Sequence, residues 1–239
     1  MSLKYRFYII TMTLLFTISC KKEETISTIT DGSVGAFEEI ELNDVFEVYL
    51  TQDSSFSIKI EGEEELIKTV HYTVENKILN INYDYKKKWR DPKNNKIKLS
   101  ITSDHLKKVT ANQTCHIETT NSIITDEFGI VMGSKLNEAI LQLNCTTFYF
   151  WNNHPCGGKL TLAGTVQNLR IWNFALMSVE AVNLTAYDAL VENSSQGDCE
   201  VTVTGKLEYS IKNSGNIYLH GNPPQIILDQ KTSTGELIQ

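Results

Sequence analysis

Three groups of side chains in this 239-residue sequence have the types that chemistry needs. Cys115-His116 and His154-Pro155-Cys156 carry the donor types of a zinc site, where four ligands must converge within about 2.3 Å of one ion. Asp188, Glu192 and Asp198, with Arg170, supply the acids and the cation that glycan cleavage would need on one face. Tyr149, Trp151 and Trp172 supply aromatic faces of the kind that mark binding patches and interfaces. The sequence has no G-x-S-x-G nucleophile turn, phosphate loop or dinucleotide fingerprint.

What positions these groups is a repeat. An apolar residue, any residue and an asparagine recur at Asn152, Asn173, Asn193 and Asn213, with spacings of 173−152 = 21, 193−173 = 20 and 213−193 = 20. Asn112 stands 152−112 = 40 residues before Asn152, with Ile130-Val131-Met132 in the slot between. A beat of about 20 residues in a sequence rich in Thr, Ile, Val and Asn predicts an all-β chain. Its coils are expected to form a solenoid that stacks at the ~4.8 Å strand spacing. Leu160 with Leu162, and Val201 with Val203, give at least two inward strands per coil, with Gly164 and Gly205 at turns. The coil with Ala181 and Asn183 in those slots is looser. An asparagine two positions past an inward residue also points inward. Asn112, Asn152, Asn173, Asn193 and Asn213 are therefore expected as a ladder whose amides donate to one coil and accept from the other at a corner.

The same register weighs the chemistry. Cys115, Cys145, Cys156 and Cys199 allow three pairings. Cys115 and Cys156 lie two coils apart, as do Cys156 and Cys199, which is roughly 9 to 10 Å against a Cα limit of ~7 Å. Mostly free, buried thiols are expected, with no metal and no cofactor. Asp188 at −5 and Asp198 at +5 from Asn193 fall on different walls, so no catalytic residues are assigned. Trp151 and Trp172 should face outward one above the other, with Tyr149 on the same face and Arg170 above it. These four form the candidate binding patch, unless an N-terminal strand layer covers them, which is the reading the packing needs of that layer favour.

Residues 37–105 are that layer. The period-two runs at residues 45–50 and 56–60 read as a hairpin about a Gln52-Asp53-Ser54-Ser55 turn, and those at 70–74 and 78–83 as a second pair about Glu75-Asn76-Lys77. Residues 61–68 read as a helical turn or a loop. Lys86, Lys87, Lys88, Trp89 and Arg90 belong to an exposed loop that could meet anionic glycan or lipid head groups, although a solvated loop is the plainer reading. Coils occupy residues 106–228 and a tail residues 229–239.

Residues 1–19 have the anatomy of an export signal, with Lys4 and Arg6 before an apolar run from Phe7 to Ile18. The ending Thr17-Ile18-Ser19-Cys20 resembles a bacterial lipobox, which makes Cys20 the lipid attachment site and the membrane a partner through that anchor; the alternative is an ordinary signal. Lys21-Lys22-Glu23-Glu24 looks like the tag that sends Bacteroidetes lipoproteins to the outer face of the outer membrane, with a periplasm-facing anchor as the alternative. Residues 20–36 complete a flexible tether. Without Lys4 and Arg6 the chain has 29 acids against 22−2 = 20 bases, a net of −9 that opposes nucleic acid as a partner.

Residues 37–50, 56–62, 79–83 and 97–109, and the ending Ser214-Gly215-Asn216-Ile217-Tyr218-Leu219-His220-Gly221-Asn222-Pro223, resemble the Bacteroidetes lipoproteins named putative auto-transporter adhesin, head GIN domain. The resemblance implies a right-handed single-stranded β-helix with an N-terminal strand layer, and carries no catalytic residues. It departs at Asn112-Gln113-Thr114 and Asn193-Ser194-Ser195, where the family tends to place glycine at turns. The functional expectation is a non-catalytic surface module contacting glycan or a cell-surface protein. A self-associating envelope component and a carbohydrate-active enzyme are the alternatives.

Overall fold

The computed structural model describes residues 26–84, 97–133, 135–152 and 156–239. The structure is 73% strand, a β-solenoid of about 6 turns with about 21 residues each. In chain order the elements are β1 (Ile26–Asp31), β2 (Glu39–Leu42), β3 (Phe46–Gln52), β4 (Ser57–Glu63), α1 (Glu64–Ile67), β5 (Val70–Glu75), β6 (Ile78–Tyr83), β7 (Lys98–Ser103), β8 (Lys108–Ala111), β9 (Cys115–Thr119), β10 (Ile123–Met132), β11 (Lys135–Asn152), β12 (Cys156–Ser195), β13 (Cys199–Ile211), β14 (Ile217–His220), β15 (Gln225–Lys231) and β16 (Leu237–Ile238).

Strand alternation builds the core. On one wall Val48, Ile117, Ala139 and Leu160 stack in register across β3, β9, β11 and β12, and all are fully buried. On the other, Ile40, Val109, Ile130, Phe150 and Ile171 do the same across β2, β8, β10, β11 and β12. Each such Val, Leu, Ile or Phe side chain contributes about 1.5–3 kcal/mol of burial, and Ala139 less. Because side chains alternate, every residue between them is forced onto an outer face. At the corner glycine Gly164 the backbone has φ +112° and a Cβ would meet the Leu143 carbonyl oxygen at 1.9 Å, so only glycine fits there.

Four expectations about the ends need correction. The runs at residues 45–50 and 56–60 do not form a hairpin, because β7 lies between β3 and β4, parallel to the first and antiparallel to the second. Leu99 and Ile101 gain apolar neighbours on both sides that way, and alternation alone cannot say which strand is adjacent. The N-terminal layer is only partly antiparallel: β2, β3, β6 and β7 enter the solenoid in parallel, while β1, β4 and β5 pair antiparallel at its end. Part of the expected tether is strand β1, whose alternating Ile and Ser/Thr residues pair with β4. The expected tail holds the end of β15 and β16, which continue the coils on β13 and β14. The pair β5–β6 is the expected hairpin, and Asn76 and Lys77 carry its positive φ angles. Residues 64–67 are the helical turn α1.

Candidate functional site

The asparagine column sits inside a stack that is apolar at both ends. Met132 pairs with Asn152, Trp151 with Trp172 so that Asn173 follows, and Asn193 pairs with Ile211. Asn152, Asn173 and Asn193 are fully buried. Asn152 clamps the next coil, its Nδ2 donating to the Phe174 carbonyl at 2.8 Å and its Oδ1 accepting from the Phe174 N–H at 2.7 Å. Asn173 Nδ2 donates to the Met177 carbonyl at 2.8 Å and to Asn193 Oδ1 at 3.2 Å. Asn193 Nδ2 reaches the carbonyls of Gly197 and Asn216 at 3.1 and 3.2 Å. These amides satisfy bent backbone where the strand ladder cannot.

Asn112 and Asn213 stand off this column, a correction to the expected five-membered ladder. Ala111, not Asn112, stacks on Met132, and the Asn112 amide instead donates to Asn43 Oδ1 at 2.7 Å. Asn193 pairs with Ile211, two residues short of Asn213, whose amide donates to the Ser194 carbonyl at 3.3 Å. The coil here is 211−193 = 18 residues, against 170−149 = 21 for Tyr149 and Arg170, so constant spacing does not follow the physical register. Sequence reading missed a further buried amide, Asn137, which accepts from the Cys115 N–H at 2.9 Å. Its apolar-x-Asn signal was absent.

Trp151 and Trp172 pair in register on adjacent coils and face outward, with Trp151 47% exposed. Among the described residues the N-terminal strands do not cover them, because those strands extend the solenoid at its end and do not fold back along its side. Arg170 is exposed beside them. Tyr149 pairs with Gly129 on one side and Arg170 on the other. Its ring lies over Gly129, where a Cβ would fall 1.9 Å from Cζ. The phenol is thus packed into a notch, and the open part of the patch is Trp151, Arg170 and Trp172. Burial raises the Tyr149 pKa.

The wall continues past Trp172 into a groove of about 120 Å³ that also touches Leu190, Glu192, Glu208, Ser210 and Asp229. A larger cleft of about 550 Å³ lies on the other wall among Val45, Phe46, Ile97, His116, Leu136 and Glu138.

Cys115, Cys145, Cys156 and Cys199 are unpaired and buried. Burial pushes the thiols of Cys115, Cys145 and Cys199 up to about 12 and raises that of Cys156. Among the described residues no group of three or more His, Cys, Asp and Glu could hold a metal ion. Two of the carboxylates weighed for catalysis are separately engaged: Asp198 accepts from the Asn216 N–H at 2.7 Å and Glu192 pairs with Lys212 at 2.8 Å, while Asp188 lies opposite Lys206 in the strand register. Cys20 and the basic residues Lys86, Lys87, Lys88, Trp89 and Arg90 lie outside the described residues. No helix among the described residues is long and apolar enough to cross a membrane.

A family model described as "Putative auto-transporter adhesin, head GIN domain" matches residues 36–223. No curated protein matches the chain. Solved structures share its fold. A putative adhesin from Bacteroides fragilis superposes with a TM-score of 0.78 at 22% identity, covering 90% of this chain and 96% of that one. From Parabacteroides distasonis, a putative adhesin gives 0.61 at 15% identity over 90% and 98% of the two chains. A putative lipid binding protein from the same organism gives 0.62 at 16% over 91% and 98%. At these identities the likeness carries the fold alone.

Proposed function

We propose, because the chain belongs to the putative auto-transporter adhesin, head GIN domain family, that it is a non-catalytic cell-envelope module making surface contacts through its tryptophan wall. The observation that carries this reading is the in-register pair Trp151 and Trp172 on neighbouring coils, with Trp151 47% exposed. Large aromatic faces left in water on a rigid sheet supply contact area at low conformational cost. Arg170 adds a planar cation beside them. Glycan or a cell-surface protein is the contacted partner, and nucleic acid is disfavoured by the net charge of −7.

In this reading Cys20 carries lipid and holds the module at the outer membrane, facing outward under the direction of the Lys21-Lys22-Glu23-Glu24 tag. Replacing Trp151 and Trp172 with Ala should abolish adhesion of the folded protein to cells and glycan arrays; unchanged adhesion would reject the wall. Cys20→Ala should move the protein from the membrane to the soluble fraction. Protease shaving of intact cells should remove the wild-type protein if it faces outward and spare it if it faces the periplasm.

A second reading, self-association, is favoured by β15. All seven of its residues are exposed, including Ile226, Ile227 and Leu228, and among the described strands it pairs with β13 alone. An apolar strand edge of this kind invites another strand. A strict monomer in light scattering at high concentration would remove this alternative.

A further inference from the structure

We propose that Arg170, flanked by Trp151 and Trp172, binds the carboxylate of a singly charged uronate sugar. This deepens the reading of the tryptophan wall as the contact face and rests on it.

Arg170 differs from the other described cations. Nine lysines with described side chains are ion-paired with a Glu carboxylate. Lys98 lies over the Tyr49 ring at 4.4 Å. Among the lysines and arginines with described side chains, Arg170 alone has neither a carboxylate nor a ring as partner, although it is exposed and the chain carries 29 acids. Register accounts for this. Its neighbour on β11 is Tyr149, whose ring is packed over Gly129, and the next outward residue on its own strand is Trp172.

These residues form a square. Tyr149 and Trp151 on β11 lie opposite Arg170 and Trp172 on β12. Sheet geometry sets the Arg170 Cα about 5 Å from that of Tyr149 and about 7 Å from that of Trp172, with Trp151 on the diagonal at about 8 Å. The free guanidinium offers parallel N–H donors to a carboxylate. With the carboxylate there, the rest of the ligand falls over the tryptophan side of the square, where Trp151 is 47% exposed and Trp172 half-buried. The indoles cover its C–H surface while its hydroxyls stay in water.

Backbone pairing favours a sugar over a peptide. At Trp151 strand β11 lies between β10 and β12, so its N–H and C=O groups are used on both edges and no peptide strand can be added. Charge favours one carboxylate over many. Lys108, in the same column as Tyr149 and Arg170, is spent on Glu39. Glu41 stands in the Trp151 column through Thr110 and Val131, and Glu127 pairs with Thr147 two residues before Tyr149. Glu192 and Asp229 line the groove past Trp172. A polyanion laid along the wall meets these acids, whereas a single carboxylate meets Arg170.

The test is a titration of the full chain, in a detergent without sugar head groups, followed by tryptophan fluorescence and saturation-transfer NMR. The probes are methyl glucuronide and methyl galacturonide, their neutral counterparts methyl glucoside and methyl galactoside, and a capped tripeptide with one central glutamate. At least one uronate should bind saturably in the millimolar range, and the neutral glycosides and the peptide at least tenfold more weakly. Arg170→Gln should weaken uronate binding tenfold or more and Trp151→Ala threefold or more, while Asp229→Asn stays within twofold. Because Arg170 has no partner to lose, Arg170→Gln should leave the urea midpoint unchanged, which separates lost binding from lost folding. The proposal is overturned if neither uronate saturates, if a neutral glycoside or the peptide binds as tightly, or if Arg170→Gln leaves the affinity unchanged. Loss of cell adhesion in the Trp151→Ala, Trp172→Ala double variant together with any of those results keeps the wall and removes the carboxylate site. Unchanged adhesion removes the wall as the adhesive face, whichever way the titration falls.

Discussion

The phenol ring of Tyr149 fills the space above Gly129 that a side chain at that position would need, the two residues being paired neighbours on β10 and β11. Gly129→Ala should therefore push the ring outward and cost about 1–3 kcal/mol, the range for overpacking. In a Tyr149→Ala background the same substitution should cost well under half as much. Urea unfolding of the four proteins measures the coupling. Equal costs in both backgrounds would mean that the ring is not what fills the notch.

The buried amides give a second contrast. Asn173→Ala removes donors to Met177 and Asn193 inside the core, and should cost about 1–3 kcal/mol for polar groups left unpaired. Asn213→Ala, at a partly exposed position off the column, should cost about 1 kcal/mol or less. Comparable losses in chemical denaturation would contradict the separation of Asn213 from the ladder.

Acid should find the Glu38 pairs. Hydrogen bonds from Lys107 and Lys77, each at 2.6 Å, hold the Glu38 carboxyl down from 4.5 to about 2. A carboxyl depressed in the folded state stabilises it above the unfolded pKa, and that contribution is lost as pH falls from about 4.5 toward 2. Glu38→Gln should lower the urea midpoint at pH 6, and the gap to wild type should close by pH 2. Salt should shrink the gap, since the pairs are exposed.

Alkali should find the thiols. Cys199 titrates at about 12 in the folded protein against 9.0 without burial. Between those values the unfolded chain has lost a proton that the folded one keeps. The stabilisation is therefore complete below pH 9 and declines as pH rises toward 12. Cys199→Ala should flatten that part of the stability curve relative to wild type. At pH 8 the native protein should protect Cys115, Cys145, Cys156 and Cys199 from iodoacetamide, and denaturant should expose them. Rapid labelling in the native state would contradict their burial.

Much of the coil was legible because strand alternation is local. A residue's side follows from its immediate neighbours, so the inward positions of Leu160, Leu162, Val201 and Val203 and the outward Trp151 and Trp172 could be read from the chain. The same local rule placed Asn152, Asn173 and Asn193 inside. It could not place Asn112 and Asn213, because coil length varies between 17 and 21 residues across these pairings and a column depends on the register of both neighbours. Tyr149 was read onto the patch for the same reason: its face is local, but its packing over Gly129 is decided by the next coil.

By itself the sequence determined the β-solenoid, the two tryptophans on its outside and the buried thiols that do not pair, since each follows from periodicity and side-chain alternation. Only the tertiary structure decided which strand lies beside which: β7 between β3 and β4, and the N-terminal strands at the end of the coil and not over Trp151. Hydrogen-bond pairing between coils β12 and β13 joins residues 17 or more positions apart, and its choice depends on the summed fit of both edges of every strand, which no short stretch of sequence contains.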